Sequence, residues 1–429
     1  MSHRLDRVQL AEGVFFSAVT DPKFKHNRIS VNFITPLTAE TASDNAVVPF
    51  LLRRGCKSRP DYTALERRLC QLYGAGLDAD VLHFGKYQML SVSIQCVDDR
   101  FALEGETITR DCAALLADIA FDPCITAGSF DEAATARERQ FILDSIAAEI
   151  NEKRSYALLR CKQEMCAGEP AALRKYGTAE TAAAITGQSA AAAYRNLADN
   201  ANIEIMFVGA GDPQAALVIF QELFGGMHRS SFAYELCQRM PAPQQVREHV
   251  EEMELAQSKL VLGLRVDGDE EDYAALRPIR VMTALYGGTP FSRLFNHVRE
   301  KLSLCYYCAA RYDGATGLMM VDCGIESENK QKAQDEILAQ LKVMQEGGFT
   351  DEELQSTRLA LRGAMKSTTD SLGGIESWYL VQILMNSEVS PHQNAEAMSD
   401  ITREQVIEAA NRVHLDTVFF LKAKGGDAQ

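Results

Sequence analysis

An internal repeat is the feature that most constrains how this 429-residue chain can fold. The stretch LERRLCQLYGAG at 65–76 is followed by two strand-like segments, and LFNHVREKLSLCYY at 294–307 is followed in the same way. The two copies lie roughly 200 residues apart, whereas the units of a solenoid are only about 20 to 50 residues long. The repeat therefore predicts two homologous domains.

Hydrophobic periodicity predicts the elements of each half. Residues 87–97 alternate between apolar and polar side chains, which indicates a half-buried strand of an antiparallel sheet. Helical sequence dominates 103–197, and a strand at 203–208 closes the first half. The second half repeats this plan between a strand at 259–266 and a last strand at 418–423. We therefore expect an α+β fold of two homologous domains, each a mixed, mostly antiparallel sheet with helices packed on one face.

The segment 225–247 separates the two halves. It contains Gly-Gly, Ser-Ser and Pro-Ala-Pro, and it fits neither the helical nor the strand period. We expect domains at 1–224 and 248–429, joined by this linker.

Composition excludes several classes of partner. A formal charge of -15 repels a phosphate backbone or an anionic lipid surface, and the basic runs are as short as Arg53-Arg54. No apolar stretch approaches the roughly 20 residues that span a bilayer, and the start MSHRLDRVQLAEG lacks the apolar core of a signal peptide. We expect a soluble, cytoplasmic protein that binds neither nucleic acid nor membrane.

The eleven cysteines are an odd number, scattered through apolar sequence, which favours reduced core thiols over a disulfide framework. Cys305 and Cys308 have CxxC spacing but lie in an extended segment. Residues three apart in a regular strand point to opposite faces. We therefore expect no redox or zinc role for this pair.

Hydrolytic chemistry has no recognisable site in the sequence. Zinc hydrolases commonly place two histidines four apart on a helix, but no two of the eight histidines are four or fewer positions apart. No G-x-S-x-G elbow occurs, and none of the cysteines lies in a nucleophile signature. The sequence thus offers no catalytic residue that we can name.

The segment VREKLSLCYY at 298–307 places Arg299 near the end of a predicted helix and Tyr306 and Tyr307 at the start of a strand. A guanidinium and a phenol both donate hydrogen bonds, so together they can hold a peptide carbonyl or an oxyanion. Alternatively, Arg299 pairs with a nearby carboxylate and Tyr306 packs within the sheet. The spacing alone favours this second interpretation.

These features resemble the pitrilysin/insulinase metallopeptidases, which include the mitochondrial processing peptidase. The resemblance extends over essentially the whole chain and is most specific at 291–325, FSRLFNHVREKLSLCYYCAARYDGATGLMMVDCGI. Active members bind zinc through an H-x-x-E-H helix whose Glu is the general base. Counting back from Gly55, the five motif positions hold residues that bind no metal and accept no proton: Ala46, Val47, Val48, Pro49 and Phe50. Glu149 and Glu152 remain near the later ligand of the family, where we expect exposed helix charges.

The resemblance also implies a role for the second domain. In the family, an arginine and a tyrosine seven positions apart bind substrate beside the zinc, and Arg299 and Tyr306, next to Tyr307, match this pair. Some bacterial members carry the zinc motif and the Arg/Tyr pair on different chains. The resemblance therefore implies a non-catalytic subunit with no cofactor of its own, which holds an extended peptide for a homologous zinc-bearing partner in a heterodimer.

Two alternatives remain open from the sequence. The first is a self-associating scaffold or peptide-binding protein of the same fold, a homodimer with no role in proteolysis. The second is a stand-alone hydrolase that uses another nucleophile.

Overall fold

The structure is a computed structural model that describes residues 3–268 and 273–424. The chain forms two compact units, each built around one sheet. The first unit takes the residues up to Ala147, Leu173–Tyr234 and Thr368–Leu384, and the second takes Ala148–Ala172, Glu235–Ser367 and those from Met385 onward.

The strands of the described residues are β1 (Asp6–Ala11), β2 (Val14–Thr20), β3 (His26–Pro36), β4 (Gly76–Phe84), β5 (Tyr87–Val97), β6 (Asn202–Gly209), β7 (Arg247–Met253), β8 (Ser258–Val266), β9 (Cys305–Asp313), β10 (Leu318–Ile325) and β11 (Val413–Ala423). The α-helices are α1 (Ala42–Leu52), α2 (Tyr62–Gln71), α3 (Ile108–Phe121), α4 (Glu132–Ala148), α5 (Lys153–Met165), α6 (Ala179–Ala183), α7 (Gly187–Asn200), α8 (Gln214–Phe224), α9 (Arg277–Thr283), α10 (Lys330–Gln345), α11 (Asp351–Thr368), α12 (Leu372–Leu384), α13 (Pro391–Ser399) and α14 (Arg403–Asn411).

Both sheets are mixed and mostly antiparallel. The first has the order β1-β2-β6-β3-β5-β4, in which only β2 and β6 run parallel. The second has the order β7-β11-β8-β10-β9, in which only β7 and β11 run parallel. The predicted α+β class with mixed sheets is therefore confirmed. The structure describes every residue between Phe224 and Arg247, and these residues form no helix or strand.

Helices cover both faces of each sheet, so the expectation that they pack on one face is incomplete. In the first unit, α1, α3 and α7 pack on one face and α12 packs against β3 and β6 on the other. In the second, α9, α10 and α14 lie on one face and α5 packs against β8 and β11 on the other. The reason is the apolar character of the strands: β5 is buried at most positions along its length, so both of its faces must be covered.

Helices α5 and α12, which each cover the other face of a sheet, pack on the sheet of the opposite half of the sequence. Helix α5 belongs to the first half but lies in the second unit, whereas α12 belongs to the second half but lies in the first. Each carries an ion pair to its sheet: Arg154 of α5 to the buried Asp322 of β10, and the buried Glu376 of α12 to Arg28 of β3. Each unit therefore consists of several segments of the chain, whereas the expected domains, 1–224 and 248–429, are each one continuous segment.

Within the described ranges, no helix is both long enough and apolar enough to cross a bilayer.

Candidate functional site

Helix α1, which holds the five positions of the zinc motif, is part of the apolar core of the first unit. Ala46, Val47 and Val48 are fully buried, and Phe50 is 3% exposed. The Phe50 ring contacts that of Phe141 edge-on, with 4.9 Å between the ring centroids. Pro49 lies inside the helix and has no amide hydrogen to donate. These side chains fill the interior and offer no ligand atom to a metal.

The buried carboxylate beside α1 is Glu138 of α4. It is 3% exposed and accepts hydrogen bonds from the guanidinium of Arg54, just beyond the end of α1. An ionised carboxylate this deeply buried requires a positive partner, which Arg54 supplies. Glu149 and Glu152, by contrast, lie outside α4, and Glu152 caps α5 by accepting from the Arg154 amide at 3.1 Å.

Zinc therefore does not fit the five motif positions in α1. Across residues 3–268 and 273–424, no group of three or more His, Cys, Asp or Glu side chains is arranged to hold a metal ion. The motif positions in α1 are apolar, and Glu138 is already paired with Arg54.

An unusual helix end positions the Arg/Tyr pair. Helix α9 continues into the π-helical segment Ala284–Gly288, which ends at the extended residue Thr289. After the turn at 289–292, a second π-helical segment, Phe295–Lys301, carries Arg299. At the end, the Leu302 amide donates to the His297 carbonyl at 3.2 Å, the five-residue step of a π-helix. Ser303 then adopts the left-handed conformation, with φ of 50°, and turns the chain into β9. Segments of π-helix are frequent at functional sites.

Arg299 and Tyr306 meet at this junction. The Arg299 Cζ lies 4.5 Å from the centroid of the Phe295 ring and 5.7 Å from that of Tyr306. Tyr306 is 78% exposed, so it projects from the sheet and does not pack within it. Arg299 has a carboxylate neighbour, Glu300, at 3.5 Å, but an exposed pair of this kind contributes little free energy. The junction thus presents a guanidinium and a phenol side by side to solvent.

Tyr307 has different neighbours. Its ring faces the Arg154 guanidinium at 4.1 Å and the Lys259 ammonium at 5.6 Å. Its hydroxyl is buried without a hydrogen-bond partner among the described residues, and burial raises the pKa of Tyr307 well above its usual range. The structure therefore brings Arg299 and Tyr306 together and places Tyr307 against α5.

A β-bulge lies at the start of β9. Cys308 is opposite Cys323 and Cys305 is opposite Ile325, so two residues of β9 oppose Gly324 alone. Because of this extra residue, the side chains of Cys305 and Cys308 point to the same face of the sheet, although they are three positions apart. Both cysteines pack on the core of the second unit. The expectation that Cys305 and Cys308 point to opposite faces is therefore wrong, because it assumed a regular strand.

The fold and the site together describe an α+β protein of two mixed sheets whose zinc-motif positions hold apolar side chains. A family model described as peptidase M16 inactive domain matches residues 184–361. The probable inactive metalloprotease YmfF of Bacillus subtilis (strain 168) is 28% identical over 422 residues, which is 96% of this chain and 97% of that protein. The chain is thus similar to inactive homologues of the M16, or pitrilysin/insulinase, metallopeptidases, and it lacks the H-x-x-E-H motif.

Solved structures share the fold. A conserved protein from Enterococcus faecalis V583 superposes with a TM-score of 0.88 and 26% identity over 99% of this chain and 100% of that one. A chain of complex III2 from Candida albicans, with Inz-5 bound, has a TM-score of 0.74 and 14% identity over 97% of this chain and 95% of that one. The second likeness shows the fold alone.

Proposed function

We propose that this chain is the non-catalytic, substrate-binding subunit of a peptidase pair, and that it holds an extended peptide for a homologous zinc-bearing chain. The observation that carries the proposal is the solvent-exposed pair of Arg299 and Tyr306 at the start of β9. The apolar motif positions in α1 support the part of the proposal that assigns the hydrolytic chemistry, a zinc-activated water, to the partner.

Strand β9 is suited to an extended peptide because it is an edge strand. It pairs with β10 on one side and with no other strand of the described chain. The backbone amides and carbonyls of an edge strand can pair with an added strand, as in recognition by β-augmentation. In this proposal the peptide runs along β9, and the side chains at its start fix the position of the peptide.

Arg299 and Tyr306 would supply hydrogen-bond donors to peptide carbonyls. The guanidinium presents several N–H groups in a fixed fork, and the phenol presents one O–H. Contact with the Phe295 and Tyr306 rings holds the guanidinium in place, which lowers the entropy that binding would cost. Donors fixed in this way act on both the bound peptide and the oxyanion that forms from it.

The test is Arg299→Ala in the natively purified complex, assayed for peptide cleavage. We expect cleavage to be lost while circular dichroism and complex formation stay unchanged, because Arg299 is not part of the core. Arg311→Ala is the matched control, since Arg311 is an exposed arginine on the same strand away from the junction. Full cleavage by Arg299→Ala would rule out the proposed role.

A self-associating scaffold is the second candidate, and one observation favours it. A chain of the same fold occurs within complex III2 of Candida albicans, which is a multi-subunit assembly. Native co-purification distinguishes the two candidates. A homologous zinc-bearing companion supports the peptidase subunit, and a homodimer without one supports the scaffold.

A further inference from the structure

The bulge in β9 brings two thiols to neighbouring positions on one face of the sheet, with Cys305 opposite Ile325 and Cys308 opposite Cys323. Both side chains pack on the core of the second unit, and both cysteines are reduced in the structure. Cys305 is half-buried, whereas Cys308 is 6% exposed. An accessible thiol beside a buried one is the arrangement of an attacking and a resolving cysteine.

The surroundings favour the thiolate of Cys305 over that of Cys308. The hydrogen bond from Cys308 lowers the pKa of Cys305; burial opposes this, and the positive charge of Arg299 adds to the lowering. The hydrogen bonds with Cys305 and Cys323, together with burial, raise the pKa of Cys308. The thiolate is the reactive form of a cysteine, so Cys305 is the group that attacks.

We propose that Cys305 and Cys308 are a reversible dithiol/disulfide site whose substrate is the disulfide of a low-molecular-weight thiol. The Cys305 thiolate attacks one sulfur of the small disulfide, forms a mixed disulfide and releases one small thiolate. Cys308 then loses its proton and attacks the Cys305 sulfur, which forms the Cys305–Cys308 bond and releases the second thiolate. The two protein thiols are oxidised by two electrons in total, and one small disulfide is reduced to two thiols.

Access distinguishes this pair from another thiol pair in the chain. Cys96 and Cys112 both belong to the core of the first unit, where they are 1% and 0% exposed. A small disulfide cannot reach them without unfolding. Cys305 is half-buried at the start of an edge strand, so a small disulfide in solution can approach it. The inference rests on these contacts and does not depend on the proposed peptide binding.

Tryptic digestion provides a direct test, because cleavage after Lys301 and Arg311 isolates a peptide, 302–311, that holds these two cysteines and no other. The native chain is equilibrated with mixtures of oxidised and reduced glutathione, and free thiols are then blocked. We expect part of this peptide to appear unalkylated and lighter by about 2 Da than the reduced peptide, which is the mass of two hydrogens. The fraction of the peptide in this disulfide form should rise with the proportion of oxidised glutathione. Dithiothreitol should reverse the change.

Two variants assign the roles of the cysteines. Cys308→Ser should stop at a glutathione adduct on Cys305, and Cys305→Ser should give neither adduct nor disulfide. The exposed Cys70 reports within the same sample that the oxidant is effective. If peptide 302–311 stays reduced while Cys70 becomes glutathionylated, or if Cys308→Ser gains no adduct on Cys305, the inference is wrong.

Discussion

The two copies of the internal repeat share a framework and differ in what they expose. In the first, α2 ends at Gln71, and the left-handed residue Tyr73, with φ of 60°, follows it and leads towards the edge strand β4. In the second, the π-helical segment 295–301 ends at Ser303, also left-handed, and leads into the edge strand β9. Both copies therefore consist of a helix, a left-handed residue and an edge strand, in this order.

The difference lies in how each copy uses its polar groups. In the first copy, the Tyr73 hydroxyl donates to Glu106 at 2.7 Å and accepts from the Leu103 amide at 3.0 Å, so the phenol holds a loop in place. In the second copy, the phenol of Tyr306 projects into solvent beside Arg299. The repeat therefore specifies the framework, whereas local changes at the helix end leave the phenol of one copy exposed.

The largest effect should come from the residue that anchors each helix. Leu69 and Val298 hold the same position of the repeat and are 3% and 0% exposed. We expect Leu69→Ala to lower the free energy of unfolding by about 2 to 5 kcal/mol through lost burial and a residual cavity. Val298→Ala removes fewer atoms and should cost about 1 to 3 kcal/mol. Urea denaturation measures both, and a negligible cost for either one would show that the two copies are not equivalent frameworks.

A smaller effect should separate the two phenols. Tyr73→Phe removes a hydroxyl that makes two hydrogen bonds, so we expect a lower midpoint of thermal unfolding. Tyr306→Phe removes a solvated hydroxyl and should leave the midpoint unchanged while weakening peptide binding. Equal midpoints for the two variants would contradict the division of roles between the copies.

The smallest effect concerns the two left-handed residues. A side chain is disfavoured at φ of 50°, so Ser303→Gly should relieve strain and stabilise the chain by up to about 1 kcal/mol, after the backbone entropy of glycine is subtracted. Tyr73→Gly removes the same kind of strain but also the phenol, so we expect no gain there. Denaturant midpoints of the two variants test this, and a destabilised Ser303→Gly would mean that the serine side chain supports the turn.

Much of the fold follows from local patterns in the sequence. The alternation at 87–97 corresponds to β5, and the predicted strand at 259–266 corresponds to β8. The sequence Thr350-Asp-Glu-Glu353 also has the pattern of a capping box, and the Glu353 amide donates to the Thr350 hydroxyl at 3.1 Å. These features depend on nearest neighbours along the chain, which is why periodicity and capping rules detect them.

The features that were missed depend on contacts between distant residues or on irregular backbone. The bulge in β9 shifts the facing of Cys305 and Cys308, and a strict period of two hides it. Gly324 was the available signal, because a glycine inside a strand often marks a bulge on one of the paired strands. The spacing of Arg299 and Tyr306 was visible in the sequence, but the π-helical end that brings them together was not.

The exchange of α5 and α12 has a consequence for synthesis of the chain. The sheet of the first unit lacks its cover on one face until residues 372–384 have left the ribosome, so almost the whole chain must be made before that unit can close. A gene cut within 225–247 would yield two fragments, each lacking a helix that its sheet requires and carrying one that it cannot bury. The nascent protein therefore depends on full-length translation, and chaperones would meet it with an apolar face of its first sheet still open.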